Sequence, residues 1–75
     1  MKCFEIVRTE AGWHARFRAA NGKIVFWTQN YSRVRSAEDA VKLMGQADIR
    51  RGHLSWLTIN GETIPVFERD ERSGV

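Results

Sequence analysis

Seventy-five residues with 12 Lys and Arg against 9 Asp and Glu, a net charge of +3, 43% hydrophobic content, one proline and one cysteine describe a single small domain. A chain of this length buries only roughly 60% of the surface its unfolded form exposes, so some staple is expected. Cys3 alone excludes an internal disulfide, and two histidines with one cysteine offer no zinc cage, which leaves oligomerisation. No apolar run nears the ~18–20 residues of a membrane span, and Met1 to Glu5 lacks the apolar stretch of a secretory leader. The expectation is a cytoplasmic chain without a membrane role.

In chain order, Cys3 to Thr9 mixes β-formers with alternating character, and Glu10-Ala11-Gly12 supplies a turn. The next run alternates without a fault. Trp13, Ala15, Phe17 and Ala19 fall on one face and His14, Arg16 and Arg18 on the other, which predicts a strand with one buried and one wet side. Asn21-Gly22 follows, the dipeptide of a tight type I′ hairpin, so Lys23 to Thr28 is predicted to pair back antiparallel. Gln29 to Arg35 reads as a polar loop carrying Tyr31.

Ser36 with Asp39 resembles a capping box, which predicts a helix from about Ala37 to Ala47. Ala37, Ala40, Val41, Met44 and Ala47 form its apolar stripe, weakened by Gly45. After Arg50-Arg51-Gly52-His53, Leu54 to Ile59 and Glu62 to Phe67 flank a second Asn-Gly at 60–61 and read as a hairpin. Pro65 cannot donate a ladder hydrogen bond, so its strand is expected at an edge or bulged. The prediction is an α+β fold, β-β-β-α-β-β: a three-stranded antiparallel meander with one helix packed on it, then a C-terminal hairpin. The domain spans 1–75, with the meander and helix in 3–50, the hairpin extension in 51–68 and a frayed tail in 69–75.

The run Arg16-Phe17-Arg18-Ala19-Ala20-Asn21-Gly22, preceded by Phe4-Glu5-Ile6 and Trp13 and followed by Ile24-Val25 and Tyr31-Ser32, resembles the YegP-like family of small bacterial domains. The likeness covers roughly Phe4 to Met44, and Ala-Ala-Asn-Gly is its most specific element. It implies a three-stranded antiparallel sheet carrying one helix, present as two copies in a chain or as one copy that pairs with itself. The family has no established activity, so no catalytic residue is carried over. Three features depart from its pattern: Ala19 follows Arg18 directly, Trp27 stands where a small or hydroxyl residue is usual, and residues 50–75 form an extension.

No catalytic constellation, metal site or cofactor motif emerges. Cys3 has no Cys-x-x-Cys partner, His14 alternates with arginines, His53 sits in a basic loop, and the glycines form no phosphate-cradling loop. Charge divides unevenly, +5 over residues 1–35 and −2 over the rest. The wet face of the sheet therefore carries the main signal. His14, Arg16 and Arg18 are expected beside Lys23, Val25 and Trp27, with Glu5 and Val7 on the same side, while Trp13, Phe4, Ile6, Phe17, Ile24 and Phe26 face the helix.

Two uses of that face follow. In one, Val25, Trp27 and Trp56 form an apolar interface closed by a second subunit, the alternative being that the C-terminal hairpin folds over the face to complete a sandwich. In the other, His14, Arg16, Arg18, Lys23 and Trp27 bind single-stranded nucleic acid by stacking and phosphate neutralisation. A Glu–Arg cross-strand pair would consume those cations instead. The leading expectation is a non-enzymatic, homodimeric interaction module. Nucleic-acid binding comes second, and strand addition to a protein partner third.

Overall fold

Alternating side chains build strands, and the computed structural model, which describes residues 1–50 and 54–73, is mostly strand. Its elements are β1 (Cys3–Thr9), β2 (Gly12–Arg18), β3 (Ile24–Trp27), α1 (Val34–Lys42), β4 (Gln46–Asp48), β5 (Ser55–Ile59) and β6 (Glu62–Asp70). All six strands join one sheet in the order β3-β2-β1-β6-β5-β4. β1 and β6 run parallel, and every other neighbouring pair is antiparallel. The α+β class, the meander and the single helix are as expected; β4 is an addition. The hairpin of β5 and β6 neither folds over the sheet nor completes a sandwich. It lies beside β1 and extends the sheet edge to edge.

The two Asn-Gly turns differ. Asn60 and Gly61 both have positive φ, 50° and 78°, as a two-residue type I′ turn requires, and Ile59 pairs with Glu62 across them. At the first site only Gly22 is positive, at 85°. There the Gly22 N–H donates to the Ala19 carbonyl and the Ala19 N–H to the Lys23 carbonyl, both at 2.9 Å, a three-residue loop built on a type I turn. The β2–β3 register then shifts: Arg16 faces Trp27 and Phe17 faces Phe26, but Arg18 faces Ile24. Val25 is the extra residue of a β-bulge, so Ile24 changes sides and joins the arginine face instead of the helix face.

The helix also departs from the prediction. It begins at Val34 after Arg33, which makes no side-chain cap bond, and it ends at Lys42, so Ser36 lies inside it. Val34, Ala37 and Val41, at steps of three and four, seat it on the sheet. Gly45 is outside it, passing so close to the Thr58 carbonyl oxygen that no Cβ fits. The backbone contact explains this glycine, and Gln46–Asp48, expected in the last helical turn, pairs instead with β5.

The helix-side core holds Phe4, Ile6, Ala15, Ala37, Val41, Leu57, Ile64 and Val66. Phe4, Phe17 and Phe26 cluster on that side, with ring centroids 5.0–6.2 Å apart. β6 is a central strand despite Pro65. Counting back from the hairpin, Ile59–Glu62, Leu57–Ile64 and Ser55–Val66 are the hydrogen-bonded pairs, so Trp56–Pro65 falls at a position where β5 asks nothing of the proline nitrogen. The ladder to β1 starts only at Val66. β6 runs on to Asp70, and beyond it the Glu71 N–H donates to the Arg8 carbonyl and the Ser73 N–H to Glu10 Oε1. Arg51, Gly52 and His53 lie outside the described residues.

Candidate functional site

The helix covers one face of the sheet, and among the described residues nothing forms a second layer on the other. Strand alternation brings Cys3, Glu5 and Val7 of β1, His14, Arg16 and Arg18 of β2, Ile24 and Trp27 of β3, Pro65, Phe67 and Arg69 of β6 and Trp56 of β5 to that side. Cys3, Glu5, Val7 and Arg16 are nonetheless buried. Long arginine side chains and the chain after β6 do the covering, as their apolar stems allow.

The centre is an ion cluster. Glu5 Oε1 accepts from Arg16 Nε at 2.8 Å and from Arg18 Nε and Nη2 at 3.1 and 3.0 Å, and Oε2 accepts from Arg69 Nη1 at 3.3 Å. Beyond β6, Glu71 receives both terminal nitrogens of Arg16, at 3.3 and 2.9 Å, one on each oxygen. Its own N–H donates to the Arg8 carbonyl at 2.8 Å. Three guanidinium groups thus meet two carboxylates. The cluster gathers residues from β1, β2, β6 and the tail, and its core is almost dry: the Glu5 side chain is 5% exposed and that of Arg16 9%.

These contacts set the titration. Burial pushes the Glu5 carboxyl up, but hydrogen bonds from Arg16 and Arg18, with their charges, outweigh it and hold the group below its usual 4.5. Arg16 holds Glu71 low in the same way. Asp70, at the surface, is drawn down to about 2 by hydrogen bonds from Arg72. A carboxyl lowered on folding contributes stability that is complete above its unfolded value and disappears as pH falls through the folded one. Urea midpoints are therefore expected to hold from neutrality to about pH 5 and to drop steadily below about pH 4.5. A midpoint unchanged on acidification to about pH 3 would contradict the cluster. Burial, and then the Glu5 charge, raise the Cys3 thiol above its usual 9.0, away from nucleophilic character.

Of the predicted residues, the structure brings His14, Arg16, Arg18 and Trp27 together. Lys23 takes the ladder position opposite Ala19, out of step with the arginines, and Val25 bulges away. Trp27, 66% exposed, lies opposite Arg16 on the edge strand, and Trp56, 40% exposed, lies opposite Pro65. Four strand spacings of about 4.8 Å separate β3 from β5, so Val25, Trp27 and Trp56 are not one patch. Two apolar flanks stand on either side of the ion cluster: Trp27 with Ile24 on one, and Trp56 with Pro65 and Phe67 on the other.

Sequence reasoning missed Arg69, Glu71 and Phe67. Alternation was their available signal: Phe67, Arg69 and Glu71 keep step with one another while Glu68 and Asp70 fall between. Among the described residues no group of three or more His, Cys, Asp or Glu side chains is placed to hold a metal, and no helix is long and apolar enough to cross a membrane. Comparison with known families finds one match, a domain of unknown function (DUF1508), over residues 9–45, the segment from the end of β1 to just past the helix. No curated protein and no solved structure matches the chain.

Proposed function

We propose, for a chain whose residues 9–45 match the model of a domain of unknown function (DUF1508), a family with which its YegP-like pattern is consistent, a non-enzymatic cytoplasmic interaction module that pairs with a second copy of itself through the helix-free face of its sheet. The observation that carries this reading is the presence of two separate aromatic flanks on one uncovered face. A two-fold axis through such a face sets residue i against j and j against i. The Trp27 flank of each copy then covers the Trp56–Phe67 flank of the other, while the ion cluster between them satisfies itself.

The alternatives have less support. Arg16 and Arg18 spend their donors on Glu5, Glu71 and the Gly22 carbonyl, which leaves little free cationic charge for phosphates on this face. Strand addition would use β3 or β4, edges of four and three residues, the first interrupted by a bulge.

Sedimentation at micromolar concentration tests the reading. The expected mass is twice 8.7 kDa. Trp27→Ala and Trp56→Ala should each weaken pairing by about 2 kcal/mol, as loss of a buried interface tryptophan does, and the double variant should be monomeric. A monomer at every concentration rejects self-pairing. Salt-sensitive binding of single-stranded DNA that is lost in Arg18→Ala would put the polynucleotide reading in its place.

A further inference from the structure

The helix face of the sheet is dry at its centre and open at one end. Val41 of α1 and Leu57 beneath it are fully buried, whereas Phe26, on the same side of the sheet, is 40% exposed. The cause is the place where the helix stops. α1 ends at Lys42, the Met44 N–H donates to the Val41 carbonyl at 3.0 Å, and Gly45 presses against the Thr58 carbonyl and the Ile59 side chain, which sends the chain off to β4 at the sheet edge. A cavity of about 470 Å³ is left over the buried Phe4 and Ile64, with Phe17 and Phe26 on one side and Met44 and Ile59 on the other. That volume is within the range of small-molecule sites, roughly 300–1,000 Å³. Three phenyl rings stand together in it, and those of Phe17 and Phe26 are stacked with 24° between their planes. The Met44 thioether adds a group that packs well against aromatic edges. The charged members of the lining cancel each other, since Lys2 Nζ donates to both Glu62 oxygens, at 2.6 and 2.8 Å. Asn60 contributes a side-chain amide with no hydrogen-bond partner among the described residues.

We propose that this cavity binds a small, uncharged aromatic molecule, with its ring among Phe4, Phe17, Phe26 and Met44 and one polar group on the Asn60 amide. The lining sets the ligand class. A charged molecule would give up hydration and meet no unpaired opposite charge in return. A saturated one would forgo the stacked and edge-to-face contacts that the three rings offer. The site lies on the helix side of the sheet, away from the face proposed above for pairing, so Trp27, Trp56 and the arginine cluster have no part in it.

The test is an NMR titration of the full chain with tryptophol, indoleacetate and tryptamine, which share a ring and differ in charge, observed at the Met44 ε-methyl and the Ile59 δ1-methyl. The Trp27 and Trp56 indole N–H signals report the opposite face. Tryptophol is expected to shift both methyls to saturation while the two N–H signals stay in place, and each charged analogue to bind about tenfold or more weakly. Phe26→Ala should lower tryptophol affinity about tenfold, through loss of one ring of the lining. If Phe26→Ala fails to fold, Met44→Gln, beyond the end of the helix, is expected to weaken binding in the same direction. Absence of any methyl shift, shifts confined to Trp27 and Trp56, equal affinity for the three compounds, or unchanged affinity in a folded variant each overturns the proposal.

Discussion

Glu5→Gln is expected to lower stability by about 3–5 kcal/mol at neutral pH, the cost of removing one partner from a buried ion pair. The amide keeps the shape of the side chain but not its charge. One oxygen can still accept from Arg16 or Arg18, whereas the amide nitrogen that replaces the other meets Arg69 Nη1, donor against donor. Arg16, 9% exposed, then keeps Glu71 as its remaining carboxylate. Small domains hold only about 5–15 kcal/mol in total, so the urea midpoint should fall by about a fifth or more with the slope unchanged. Replacing both partners, Glu5→Leu with Arg16→Met, should recover much of the loss, since apolar side chains of similar volume often substitute for a buried pair at little cost. A loss below about 1 kcal/mol for Glu5→Gln would mean that water reaches the cluster.

How much of this site the sequence reveals depends on the range of the interactions involved. The two faces of β2 are legible because Trp13 to Arg18 alternate without interruption. With β1 beside β2, Glu5 opposite Arg16 follows as a cross-strand pair. Trp27 on the arginine side is also legible, but for an incomplete reason: period-two counting from Trp27 puts Val25 there and Ile24 across the sheet. Only a three-residue loop at Ala20–Gly22, with the bulge that follows, reverses the last two. Asn-Gly suits both loop types, so the dipeptide alone does not choose between them.

The parts that were not legible are long-range. Nothing local announces that Val66 to Asp70 pairs in parallel with β1, because parallel pairing has no turn to mark it. Without that ladder, Arg69 and Glu71 look like an exposed charged tail, and the carboxylate that completes the coordination of Arg16 is missing. Pro65 misled for a related reason. Its absent N–H excludes a central strand only where a neighbour needs that donor, and here neither ladder does. The predicted helix is too long because Met44 and Ala47 continue the spacing of three and four past Val41, whereas the close approach of Gly45 to the Thr58 carbonyl and the pairing of Gln46–Asp48 with β5 end it at Lys42.

Close backbone approach gives the other large effect. Gly12→Ala is expected to cost about 3–5 kcal/mol, the sum of backbone strain and of the bonds it would break. Gly12 has φ +124°, a region that side chains rarely adopt, and an added Cβ would overlap the Tyr31 carbonyl oxygen and lie 3.2 Å from its carbon. That carbonyl cannot give way freely. It accepts from the Trp13 N–H at 2.7 Å while the Tyr31 N–H donates to the Trp13 carbonyl at 2.6 Å, a two-bond bridge that ties the loop before α1 to the first hairpin. Moving Tyr31 strains both bonds and shifts the entry to the helix, which is packed on the same strand. Gly22→Ala is the internal control. Its φ is +85°, but nothing lies within 4 Å of the added carbon, so it carries only the left-handed penalty of about 1–2 kcal/mol. Denaturation of the two variants side by side separates conformation from contact, and hydrogen exchange at Tyr31 N–H should accelerate in Gly12→Ala alone. Equal losses in the two variants would mean that the Tyr31 carbonyl does not press on Gly12, and that the bridge does not hold the helix to the hairpin.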